Sequence, residues 1–231
     1  DNSPHPSPFS SKNVTYRHDP LNHGVSTAYN TASVYAESKH KNWMLFLDQD
    51  TTVTVNFFEE LLAAIDAHRE TVAFVPRLSD QKGVVSPFYF AFGRGKRINT
   101  EPSPLSLSRH RFINSGLLVK LSAFRAVGGY DPEIPLDFSD ISFGMRLMAI
   151  TDHFWVLETI LSHDFSDNSN MEQEDALLRF RRYCVGASVM GRKSRLPNFY
   201  AIQSLLRACH LSMRYKSGHF VTAFFQHFFN G

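Results

Sequence analysis

Two carboxylates stand one residue apart at Asp48-Gln49-Asp50, directly after the apolar run WMLFL at residues 43–47. In an extended chain, residues i and i+2 point to the same side. Two carboxylates on one side repel each other unless a cation or a proton lies between them. They are hard oxygen ligands, suited to Mg2+ or Mn2+, and magnesium commonly takes one or two protein carboxylates and completes its shell with substrate phosphate oxygens. An Asp-x-Asp at the carboxyl end of a buried strand therefore points to a metal–diphosphate site, the edge at which open α/β sheets bind ligands. The structural alternative is that the strand simply ends at a turn-favouring Asp, with Thr51 or Thr52 capping the next helix.

The elements that would position these groups follow from hydrophobic periodicity. Helices are predicted over Val25–Lys39, with Ala28, Ala32, Tyr35 and Ala36 on one face, and over Asn56–His68, with Phe57, Leu61, Leu62 and Ile65 on one face. Further helices are predicted over Leu121–Val127, Phe138–Ile150 (Phe143, Leu147 and Ile150 inward), Glu172–Met190 and Phe199–Tyr215. Strands are predicted at Asn13–His18, Trp43–Leu47, Thr71–Pro76, Val84–Phe92, Arg111–Lys120 and His153–Leu161, with a mobile polar loop over Gly93–Ser108. Asn114-Ser115-Gly116 falls inside the Arg111–Lys120 strand, where glycine would either admit a ligand or serve packing. Strands alternating with helices imply an α/β fold with a mainly parallel sheet.

Composition sets bounds. With 231 residues, 43% hydrophobic and 20% charged, the chain can bury a sizeable core. No apolar run approaches the ~18–20 residues that span a bilayer, and the polar, Pro/Ser-rich start is unlike a secretory signal. Two cysteines, Cys184 and Cys209, make neither a disulfide framework nor a zinc site and fit a reducing compartment. Asn13-Val14-Thr15 matches a glycosylation sequon without other support for secretion. The net charge of +2 hides an asymmetry: no Asp or Glu follows Asp175, while nine Lys and Arg do, which leaves 15 basic and 22 acidic residues before it.

Several stretches together resemble the family 2 inverting glycosyltransferases, in particular a bacterial rhamnosyltransferase-like branch. They are Asp1-Asn2-Ser3, NHGVSTAYN at residues 22–30, LDQDT at residues 47–51, Asn114-Ser115-Gly116, Gly128-Gly129-Tyr130-Asp131, Asp137-Phe138-Ser139-Asp140 and Ser162-His163, in the family's order across residues 1–170. The resemblance implies a GT-A (Rossmann-like), mostly parallel sheet flanked by helices over residues 1–170, followed by a C-terminal helical extension over residues 171–231. It implies that the family's first strand and helix are missing ahead of Asp1. It further implies metal-dependent transfer of a hexose, rhamnose by the Asp-Gln-Asp-Thr form, from a dTDP- or UDP-linked donor to a glycan or lipid-linked acceptor in surface polysaccharide synthesis.

Residue roles carry over in the same way. Asp50 would bind Mn2+ or Mg2+, with His163 as a further ligand, and Asp48 would lie near the ribose and sugar. Asp1 resembles the aspartate that contacts the base, and Asn22, Gly24 and Asn30 the turn and helix beside the nucleotide. Many relatives carry Arg before the Asn30 position, where this chain has Tyr29. Asn114, Ser115 and Gly116 would line the sugar or acceptor pocket. Asp140 matches the general base that accepts the acceptor hydroxyl's proton, with Asp137 as fallback; capping of the helix by Ser139 or Asp140 is the structural alternative.

The tail, with its basic residues and the stretch HFVTAFFQHFFNG at residues 219–231, suits either an anionic membrane surface or packing on the catalytic domain. The implied location is cytoplasmic, with peripheral contact at the inner face of the membrane. No nucleic-acid motif is present. Two other functions compete. FLDQDTT resembles the nucleophile loop of haloacid dehalogenase-like phosphatases, with Asp48 attacking phosphorus, but the later Lys and acidic pair that such a site needs are not evident. The other is a non-catalytic module that binds a sugar nucleotide.

Overall fold

The computed structural model describes residues 1, 3, 5–7, 9–91, 93–164 and 171–229. In chain order the elements are α1 (Val25–Ser38), β1 (Trp43–Leu45), β2 (Thr51–Thr52), α2 (Val55–Ala67), β3 (Ala73–Asp80), β4 (Gly83–Ser86), β5 (Phe88–Ala91), β6 (Arg94–Arg97), β7 (Pro104–Ser106), β8 (His110–Arg111), β9 (Leu118–Lys120), α3 (Leu121–Ala126), α4 (Ser139–Leu147), β10 (His153–His163), α5 (Gln173–Lys193), α6 (Pro197–Tyr215) and α7 (His219–Phe228).

The expected α/β architecture is present, with a mixed sheet: β3 and β10 are its parallel pair and the other described pairings are antiparallel. The main sheet runs β1-β9-β3-β10-β2, with β4 added to β3 and β7 to β10. β3 and β10 pair in parallel, whereas β9 runs antiparallel to both β1 and β3. β1, β3 and β10 therefore share a direction, and β9 reverses between them. Alternation along the strands sends side chains to two cores. Val75, Val119, Phe154 and Val156 face one with Phe124, Tyr130 and Phe143, under α3 and α4. Phe74, Leu78, Leu118 and Leu161 face the other, with Phe57 and Leu61 of α2. A third core joins α5, α6 and α7 through Phe180, Tyr183, Tyr200, Phe220 and Phe224, and takes in Ile134 ahead of α4.

Several expectations need correction. Residues 13–18 form no strand. The strand expected over Val84–Phe92 is two strands, β4 and β5, and Phe92 lies outside the described residues. The expected loop over Gly93–Ser108 holds β6 and β7. β6 is exposed on every residue, so no hydrophobic alternation marks it; its pairing with β5 and the 2.6 Å Arg97–Asp80 ion pair hold it. On α1 the residues turned inward are Ser26, Tyr29, Ser33 and Ala36, whereas Ala28, Ala32 and Tyr35 face outward. Serine can take core positions there because each hydroxyl finds a carbonyl, Ser26 at Ile134 and Ser33 at Asn30. Leu62 and Ile150 are exposed rather than inward. The sequence HDFSDNSN at residues 163–170 is turn-rich in composition, and from residue 165 onward it lies outside the described residues.

Candidate active site

The Asp48–Asp50 pair does not extend a strand. β1 ends at Leu45, and the chain turns at residues 49–50, closed by a 3.2 Å bond from the Thr51 amide to the Asp48 carbonyl. The turn delivers Thr51 and Thr52 into β2, which pairs with the end of β10 so that Thr51 lies opposite His163. That pairing brings a residue 112 positions away to the Asp-x-Asp turn. One ligand atom from each of Asp48, Asp50 and His163 lies within 4.8 Å of the others. Asp50 Oδ1 lies 3.6 Å from His163 Nδ1, with His163 buried and Asp50 exposed. Two carboxylate oxygens and an imidazole nitrogen form a donor set that fits Mn2+, and an exposed carboxylate leaves room for a ligand's own oxygens.

Two further side chains set this turn. Tyr29 of α1 donates a 2.9 Å hydrogen bond to Asp48 Oδ1. Ser115 Oγ accepts the Asp48 amide at 3.1 Å and lies 2.6 Å from Thr51 Oγ1, which in turn lies 2.6 Å from His163 Nδ1. Burial raises the Asp48 carboxyl above the ordinary range; the Tyr29 bond opposes this, while Asp50 and His163 act as smaller, opposite influences.

The expected strand over Arg111–Lys120 is broken at this place. Residues 112–117 form a turn between β8 and β9, stapled to the end of β1 by Gly116 N to Phe46 O at 2.8 Å and Phe46 N to Leu117 O at 2.9 Å. Gly116 has φ +80°, and a Cβ there would collide with the Pro76 ring, so glycine is required. Ser115 is thereby aimed at Asp48, while Asn114 lines the cavity and accepts the Tyr130 hydroxyl.

Asp140 stands in the first turn of α4, two residues after Phe138, whose backbone is left-handed at φ 73°. A bulky residue in that region costs about 1–3 kcal/mol and needs its surroundings to hold it. Here the Phe138 ring is braced by Tyr183 at 5.1 Å and Tyr200 at 5.8 Å, from α5 and α6. Asp140 lines the cavity of about 710 Å3 that also holds Asp48, Asp50, His163, Asp137 and Tyr29. Loss of hydration pushes its carboxyl up to about 6, against a 2.8 Å bond from the Ile141 amide, with Asp137 and Asp48 adding like charge.

The remaining expected residues lie elsewhere. Asp1 lines a separate cavity of about 720 Å3 beside the outer face of α1, and its carboxylate accepts the Tyr16 hydroxyl at 2.6 Å and the Ser3 amide at 2.9 Å. Asn22, at φ 48°, belongs to the turn before α1. Gly24 begins that helix at φ +91°, where a Cβ would sit 2.5 Å from the Pro135 carbonyl oxygen. Asn30 clamps α1 to the Gly129-Tyr130 turn, with both amide atoms 2.8 Å from Tyr130 backbone. Tyr29 was legible only as a departure from the family pattern, and nothing in its local sequence marks it as a partner of Asp48.

Residues 5–115, just under half of the chain, match the family model described as glycosyl transferase family 2. The match supports a family 2 glycosyltransferase. No curated protein matches the chain in sequence. Among solved structures, the chain is similar to GalNAc-T7 crystallised with UDP, GalNAc and Mn2+ (16% identity, TM-score 0.47, 64% of this chain and 31% of that one). It is also similar to S. aureus TarS residues 1–349 (16% identity, TM-score 0.47, 87% of this chain and 61% of that one). The chain thus spans less than two thirds of either relative's length.

Proposed function

We propose that this chain is the catalytic part of a metal-dependent inverting glycosyltransferase of GT-A type that moves a hexose from a nucleoside-diphosphate donor, dTDP- or UDP-linked, to a glycan or lipid-linked acceptor. The observation that carries the reading is the meeting of Asp48, Asp50 and His163 on a cavity that also holds Asp140.

In this reading Asp50 and His163 hold the divalent ion, Mn2+ or Mg2+, and Asp48 contributes from a position fixed by Tyr29 and Ser115. When bound, such an ion supplies charge neutralisation for a leaving diphosphate. Asp140 removes the proton of the acceptor hydroxyl as that oxygen attacks the anomeric carbon. A carboxyl near 6 is ionised at neutral pH yet basic enough to take a proton. In this reading Asp1 contacts the base from its own cavity, Asn22, Gly24 and Asn30 hold the turn and helix beside the nucleotide, and Asn114, backed by Ser115 and Gly116, serves the sugar side. Rhamnose as the donor sugar rests on the Asp-Gln-Asp-Thr form, and surface polysaccharide as the product rests on the family resemblance.

The tail serves a second purpose in the proposal. No Asp or Glu follows Asp175, and α6 exposes Ile202, Leu206 and Met213 along one face, a pattern suited to an anionic bilayer carrying lipid-linked acceptors. No helix among the described residues is long and apolar enough to cross a membrane. Sedimentation with phosphatidylglycerol vesicles, compared with phosphatidylcholine, checks this contact. The phosphatase reading has less support, since the cavity's described lining contains no Lys.

The test is turnover. Candidate sugar nucleotides incubated with Mn2+ and a glycan or lipid-phosphate acceptor should yield nucleoside diphosphate with the wild-type chain and at least about 100-fold less with Asp140→Asn. Release of inorganic phosphate from simple esters instead would favour the phosphatase.

A further inference from the structure

The cavity that holds Asp48, Asp50, Asp137 and Asp140 has four carboxylates on its walls and, among its described lining, one guanidinium: Arg179 of α5. Its Nε is buried and has no hydrogen-bond partner among the described residues. On the same cavity Asp137 Oδ2 is also buried without a partner, and no ion pair joins the two side chains. Protein interiors rarely leave a guanidinium donor unused. Arg77 and Arg111 also hold a buried Nε without a partner; Arg179 differs in standing on this cavity, as the one guanidinium of its described lining among four carboxylates.

We propose that Arg179 is a phosphate-binding residue of this cavity, supplied by α5 to a site otherwise built by α1, the ends of the sheet strands and the start of α4. The planar fork of a guanidinium matches a phosphate in two-pronged fashion and keeps its charge at any working pH. The position is rigid. Ala176, Phe180, Tyr183 and Ala187 recur at helical spacing and are buried in the third core, and Arg179 stands at the edge of that stripe, one residue from Phe180 at 1% exposure. The same core holds Phe138 in its left-handed conformation, so α5 fixes both Arg179 and the start of α4. The carboxylates of the lining suit cations; a guanidinium on the same cavity supplies the countercharge that a diphosphate needs beyond the metal.

The inference rests on the transferase reading for the source of the phosphate, which is either the donor's diphosphate or a phosphate of the acceptor. Both sources share one chemistry, and calorimetry on the full chain separates them. Wild type, Arg179→Gln and Arg179→Lys are titrated with UDP and dTDP in Mn2+, and with inorganic phosphate in Mg2+ with and without saturating UDP. Loss of about 10-fold or more in nucleoside-diphosphate affinity in Arg179→Gln assigns the residue to the donor. Unchanged nucleotide affinity with an equal loss for inorganic phosphate beside saturating UDP assigns it to the acceptor. Arg179→Lys, which keeps the charge without the fork, recovers part of either loss. Wild-type affinities for every probe in a folded Arg179→Gln overturn the proposal. Should wild type bind no nucleotide, the transferase reading fails by itself, and the phosphate titration without UDP still decides Arg179: weaker in Arg179→Gln supports it, equal overturns it.

Discussion

The Tyr29 hydroxyl donates a 2.9 Å hydrogen bond to Asp48 Oδ1, tying the second turn of α1 to the acidic turn that follows β1. Tyr29 also packs its ring 4.5 Å from Phe46 and 5.1 Å from Tyr130, so the phenol cannot swing freely. Burial, then the neighbouring Asp48 charge, raise its own pKa, so it remains a donor. Tyr29→Phe keeps the packing and removes the bond. We expect kcat/KM to fall about 10- to 100-fold, the usual effect of losing a partner of a metal-site ligand, with little change in Tm.

Asp140 gives the pH dependence. Its carboxyl is pushed up to about 6, so the basic form gains population as pH rises through that value, and kcat/KM should rise along an acid limb centred near 6. Asp140→Asn should lose about 10²- to 10⁴-fold in rate while still binding nucleotide with metal.

Stability responds to the same group with the opposite sign. A folded-state pKa raised above the unfolded value favours the protonated form in the native state. That contribution is complete below about 3.8 and is lost as pH rises through about 6. Asp140→Asn should therefore gain on wild type in Tm between pH 5 and pH 8, measured by scanning calorimetry at both.

The close approach of Gly24 to Pro135 predicts a backbone cost. Gly24→Ala meets the Pro135 carbonyl oxygen at 2.5 Å with φ held at +91°. We expect a loss of about 2 kcal/mol, read as a Tm drop of roughly 4–8 °C.

Two phenylalanines of α7 test whether that helix belongs to the core. Phe220 is fully buried, and Phe220→Ala should cost about 3–5 kcal/mol by chemical denaturation. Phe225 is 54% exposed, and Phe225→Ser should stay within about 0.5 kcal/mol.

The long elements were legible in the sequence because their period is strong. α1, α2, α5 and α6 fall within a few residues of their expected bounds, and the WMLFL run does enter the sheet as β1. The acidic pair was legible too, but not the turn that shapes it. What was hidden depends on distant partners. The apolar run from Arg111 to Lys120 conceals a turn because Phe112 and Leu117 are core residues at its two ends, and only Gly116 signals the break. β6 is polar throughout and is defined by its neighbour in the sheet. The alanine face of α1 looked like the buried one, yet the buried positions are serines whose hydroxyls bond carbonyls. Tyr29 could be found only by seeing α1 beside the Asp48 turn.

The most direct test is calorimetric titration of the chain with UDP and dTDP, each with and without Mn2+, repeated with Asp50→Ala. The account predicts nucleotide binding that requires the metal and disappears in the variant. Metal-independent binding, or equal binding by Asp50→Ala, would contradict it.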